Sequence, residues 1–114
     1  MTTGLRLTAI ERNGQWLARA LREDTGRPFG IECAGATEGD ALARLTLWLE
    51  WQSDHEAAMV ALQHAERAYH RAIAASAFAN PAEGQTSIGR QRESLDAVEA
   101  VRLRLDEIRA RRPE

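Results

Sequence analysis

The chain has 114 residues, a formal charge of −2 and 28% charged residues, so it has room for one modest core and no basic excess to draw it to nucleic acid or an anionic membrane. Its 15 basic residues are all arginine, and with the abundant alanine this composition points to a GC-rich genome, from which a bacterial source is expected. No apolar run nears the ~20 residues that cross a bilayer, and Met1 to Gly4 lack the basic and apolar regions of a signal peptide. The expected location is the cytoplasm. Cys33, the only cysteine, cannot form an internal disulfide and has no Cys or His neighbours that would suggest zinc; it reads as a small buried apolar residue.

Leu5 to Arg12 precedes Asn13-Gly14, the pair that best tolerates the positive φ angles of a two-residue type I′ hairpin turn. Gln15 to Glu23 is then the return strand, with Trp16, Ala18 and Ala20 on one face and Leu17, Arg19 and Leu21 on the other. A short helix competes, since Trp16, Leu17, Ala20 and Leu21 also cluster at helical spacing and Gly26 could end it. Asp24 to Pro28 reads as a turn, and Phe29 to Ala34 alternates as a third strand. Residues 1–36 thus form a three-stranded antiparallel meander, which needs a covering layer to be stable.

From Thr37 to Ala79 there is no proline and only one glycine, Gly39, so a helix over 37–79 is expected to supply that layer. At about 1.5 Å per residue it would reach roughly 60 Å, against a radius of gyration near ~13 Å for a compact chain of this size. The molecule is therefore elongated, bent or completed by another copy. Thr37 can cap the helix, with Glu38 and Asp40 in the first turn. Leu42, Leu45, Leu47, Trp48, Leu49 and Trp51 give the first half a broad apolar surface for the sheet. Beyond His55 the alanines at 58, 61, 65, 68, 72, 75 and 79 make a heptad seam, flanked by Met59, Leu62, Tyr69 and Ile73. Ser53-Asp-His-Glu56 has capping-box spacing, which leaves open a new helix start and a kink at Gln52.

A loop at 80–86 leads to a second helix over 87–112, capped by Thr86 or Ser87, with the stripe Ile88, Leu95, Val98, Val101, Leu105 and Ile108. Turning the chain near residue 83 pairs the two helices antiparallel. Tyr69 then meets Val98, Leu62 meets Leu105, Ile73 meets Leu95, and Glu66 faces Arg102. The fold class is α+β, a single domain over 1–114: a three-stranded antiparallel meander followed by a long antiparallel helical hairpin.

The three short strands followed by Gly35-Ala-Thr37 and an amphipathic helix resemble the partially degraded RNase H fold of HicB-type antitoxins. The resemblance covers about forty residues, on little more than Gly-x-Thr before a helix. It implies a small regulatory protein that binds a partner protein or DNA. Neither the alanine seam nor the second helix belongs to that pattern.

Signals for chemistry are thin. Glu66 and His70 are four apart on one helix face, but two ligands do not make a metal site and His64 does not join them. The arginines at 102, 104, 109, 111 and 112 are interleaved with Glu99, Asp106, Glu107 and Glu114, so the last helix reads as a solvated mixed-charge surface with Glu107 and Arg111 as a pair. Trp48 and Trp51 suit a core, with a pocket or subunit contact as the alternative. No phosphate loop, catalytic triad or paired carboxylates stand out, so no catalytic residue, cofactor or metal is assigned and the chain reads as non-enzymatic. The expected work is association, as a homodimer building a four-helix bundle or with another protein, with Trp48, Trp51, Val60, Ala68 and Leu103 as the candidate surface.

Overall fold

The computed structural model describes residues 4–78 and 80–113. Ala79, the last alanine of the expected seam, lies outside them, as do Met1, Thr2, Thr3 and Glu114. The described residues fall into two compact units, the first running to Ser53 and including Arg112 and Pro113, the second Asp54–Arg111.

In the first unit, strands β1 (Leu5–Arg12), β2 (Gln15–Arg22) and β3 (Pro28–Gly35) form one antiparallel sheet in the order β1-β2-β3. Arg12 pairs with Gln15, and Asn13 and Gly14 between them take φ of 54° and 79°, the left-handed pair of a type I′ turn. Gln15 to Arg22 is strand, not helix, because that turn hands it directly to β1. Its face assignment follows the alternation: Ala18 and Ala20 are fully buried while Arg19 is exposed.

The third strand departs from simple alternation. Ala18 pairs with Cys33 and Ala20 with Phe29, so the single residue Arg19 stands opposite Gly30, Ile31 and Glu32. Gly30 has a φ of 75°, a conformation that side chains with a Cβ resist, and it makes the bulge possible. The bulge lifts Ile31 away from the core, and it is exposed.

Helix α1 (Glu38–Ser76) closes over this sheet. The Asp40 backbone N–H donates to Thr37 Oγ1 at 3.1 Å, so Thr37 is the cap, with Glu38 and Asp40 in the first turn. Ala41, Leu45 and Leu49 pack on Ala18, Ala20 and Cys33, with Leu5, Leu7, Ala9, Trp16, Leu42 and Trp48 around them. Small side chains on both layers bring helix and sheet close together. Leu47, expected on this face, points to solvent. The helical run passes unbroken through Gln52 and Ser53, so Ser53 starts no new helix.

In the second unit, the later part of α1 pairs with α2 (Gly84–Ala110). Glu66 and Arg102 form the expected ion pair at 3.6 Å, and Arg109 reaches both His55 and Met59, which fixes an antiparallel arrangement in the expected register to within a turn. The α2 start differs from expectation. Asn80 caps a 3-10 turn, Pro81–Glu83, by accepting from the Glu83 N–H, and α2 follows at Gly84 without a side-chain cap from Thr86 or Ser87. Proline at the first position of that turn starts the helical path before the residues expected to cap it.

The alanine seam also shifts. Half-buried or buried positions along this part of α1 are His55, Ala58, Met59, Leu62, Ala65, Glu66, Ala68, Tyr69, Ala72 and Ser76, whereas Ala61 and Ala75 face solvent. Of two adjacent alanine stripes, Ala58, Ala65 and Ala72 are covered throughout, whereas of Ala61, Ala68 and Ala75 only Ala68 is half-buried.

Two glycine substitutions separate close approach from helix propensity. A Cβ on Gly35 would lie 2.5 Å from the Ala41 backbone nitrogen, so Gly35→Ala is expected to destabilise the protein by about 2 kcal/mol or more in urea melts. Gly89 lies inside α2 in its second turn, and a methyl group there would meet nothing within 4 Å, so Gly89→Ala is expected to stabilise by roughly 0.5–1 kcal/mol. Equal effects of the two substitutions would contradict this packing.

Candidate interaction surface

The expected surface residues separate into distinct environments. In the first unit, Trp48 and Trp51, three apart on α1, meet edge to face with ring centres 5.8 Å apart and planes at 79°. The guanidinium carbon of Arg112 sits 5.3 Å from the Trp48 ring centre and 5.9 Å from that of Trp51. Both rings present their electron-rich faces to one exposed cation, an arrangement worth about 0.5–1 kcal/mol per contact. Trp48 also borders the core. Sequence reasoning finds the tryptophan pair and places Arg112 only in a solvated arginine group.

In the second unit, Val60 and Leu103 stand 45% and 62% exposed. By helical geometry each points away from the seam between α1 and α2, so they lie on opposite outer faces of the hairpin. Ala68 is half-buried at the seam margin.

A different apolar group emerges in the same unit. The half of the hairpin remote from the connecting loop is conventionally packed, with Ala58, Val98, Leu105 and Ile108 buried. The half next to the loop is reversed. The half-buried seam positions there are Gly84, Ser87, Gln91 and Ser94 on α2 and Ala72 and Ser76 on α1, while the large apolar side chains stand outside. Ile73 is 43% exposed, Leu95 37% and Ile88 61%. These three follow the heptad line that begins with the Glu66–Arg102 pair, so they occupy one flank of the hairpin. Phe78, in the turn after α1, is also exposed. Ile88 and Leu95, expected inside the α2 stripe, fall one heptad step outside it, because Ser87, Gln91 and Ser94 hold the 3-4 spacing that continues Val98, Val101, Leu105 and Ile108.

The titratable groups are largely engaged or solvated. Arg109 Nε–H donates to His55 Nε2 at 3.4 Å, and Glu66 is committed to Arg102. Glu107 pairs with Arg104 at 3.7 Å in place of Arg111. Among the described residues no group of three His, Cys, Asp or Glu is placed to hold a metal, and no described helix is long and apolar enough to cross a membrane. Burial pushes the Cys33 thiol up from its usual range, with the Arg44 charge acting in the opposite direction. The chain matches no family model, no curated protein and no solved structure. The resemblance to HicB-type antitoxins therefore rests on its few residues alone.

Cys33 supplies a direct check. Its folded-state pKa lies above the unfolded value, so any stability from burying the neutral thiol is complete below the unfolded thiol range and is lost as pH rises through the folded value. A thiol reagent at neutral pH is expected to label Cys33 slowly in the folded protein and rapidly in urea. Equal labelling rates in the two states would contradict its burial.

Proposed function

We propose that this protein is a protein–protein association module whose contact element is the helical hairpin and whose simplest partner is a second copy of itself. One observation carries the reading: next to the loop, the hairpin holds serine, glutamine and alanine inside and presents Ile73, Ile88 and Leu95 outside. Burying an isoleucine or leucine is worth about 1.5–3 kcal/mol, so leaving three on one flank forgoes several kcal/mol that a covering surface would recover. A two-helix flank with heptad-spaced apolar residues accepts another helical pair in the manner of a four-helix bundle. The Glu66–Arg102 pair borders the strip and sets its polar limit.

Ile88→Glu and Leu95→Glu both change exposed side chains, so they are expected to leave helicity intact while lowering the solution mass measured by light scattering. The same mass for both variants and the parent would refute the hairpin as the contact.

A further inference from the structure

We infer that strand β1 is a second, independent association site, at which two copies of the chain join edge to edge into one continuous antiparallel sheet. The two edges of the three-stranded sheet are unlike. β3 begins at Pro28 and carries the bulge with Gly30 at positive φ, the kinds of irregularity that prevent a further strand from adding. β1 has eight regular residues, an unbroken register with β2, and neither proline nor bulge.

The hydrogen-bonding pattern says which groups the β1 edge offers. Arg12 and Gln15 flank the two-residue turn and form a close, doubly bonded pair, so bonding to β2 recurs at Ile10, Thr8 and Arg6. The Glu23 N–H donating to the Gly4 carbonyl at 3.0 Å continues that phase. Leu5, Leu7, Ala9 and Glu11 therefore turn their N–H and C=O groups outward, and no hydrogen bond from another described residue reaches them. Such a row is a template for strand addition.

A second copy fits this row in one register. A two-fold axis normal to the sheet keeps both inner faces on one side, which requires some β1 residue to face its own copy. Centring on Ala9 sets Arg6 against Arg12, opposing like charges on the same face. Centring on Leu7 leaves Glu11 without a partner in the strand. Centring on Thr8 pairs Leu7 with Ala9, Leu5 with Glu11 and Arg6 with Ile10, uses all four outward residues, and brings no two like charges together. Thr8 then meets Thr8 in a non-hydrogen-bonded pair, whose Cα atoms lie about 4.5 Å apart.

This contact and the hairpin contact together would build a tetramer or longer array, whereas either alone gives a dimer. The test is disulfide trapping of Thr8→Cys and, separately, Ile10→Cys, each with Cys33→Ala, under mild oxidation. The Thr8→Cys pair falls within the span a disulfide bridges, and Ile10→Cys faces Arg6 instead. Covalent dimer from Thr8→Cys at several times the rate of Ile10→Cys is expected, persisting when Ile88→Glu is added. Ala9→Pro, which removes an outward N–H without touching the bonds to β2, is expected to abolish it. Equal trapping at the two positions, no trapping at either, or loss of the Thr8→Cys dimer on adding Ile88→Glu would overturn β1 as an independent site for a second copy. Failure of the hairpin reading alone would instead leave the trapped dimer intact and the mass insensitive to Ile88→Glu.

Discussion

The backbone of Gly35 lies against the first turn of α1, and that contact determines which side chains the helix can offer the sheet. With no Cβ at 35, the end of β3 reaches the Ala41 backbone, Thr37 caps the turn, and Ala41, Leu45 and Leu49 fall in phase over Ala18, Ala20 and Cys33. Close approach is possible because the facing residues are small; the only large side chain fully enclosed among the described residues is Leu45. The bulge at Gly30 belongs to the same arrangement, since a Cβ there would lie 3.3 Å from Gln52 Oε1 and 3.6 Å from Leu49 Cδ2 on α1.

The helical hairpin is uneven along its length. Val98, Leu105 and Ile108 bury against α1, but the loop-proximal seam of Ala72, Ser76, Ser87, Gln91 and Ser94 has little apolar area to remove from water. Helix propensity does not compensate, because α2 opens with Gly84 and carries Thr86, Ser87 and Gly89 in its first two turns. Tertiary packing supplies most helical stability in proteins, and here the residues able to provide it, Ile73, Ile88 and Leu95, face outward. The association proposed above would resolve that conflict between local sequence and seam.

Much of the architecture is legible in the sequence because it rests on local chemistry. Asn13-Gly14 states its turn, Thr37 its cap, and the Glu66–Arg102 pair follows from where the chain reverses. What is not legible depends on discrimination that alanine does not provide. With alanine at 58, 61, 65, 68, 72 and 75, either of two stripes satisfies a heptad, and only the partner helix decides between them. Hydrophobicity, normally the best guide to burial, points Ile88 and Leu95 inward, and it fails here because Ser87, Gln91 and Ser94 occupy the seam and leave both exposed. Gly30 inside a strand is the available signal for the bulge, and Asn80-Pro81 for the early start of α2. The exposed apolar flank of Ile73, Ile88 and Leu95 emerges only once the face already used by the seam is known.

Amide hydrogen exchange as a function of protein concentration distinguishes a loop-proximal half of the hairpin that draws its stability from a partner, as proposed, from one that is stable alone. Stabilisation by a partner requires that amides of residues 69–76 and 88–95 lose protection on dilution while those around Ala58 and Leu105 keep theirs. Protection in the loop-proximal half that equals the other half and does not change with concentration would contradict it.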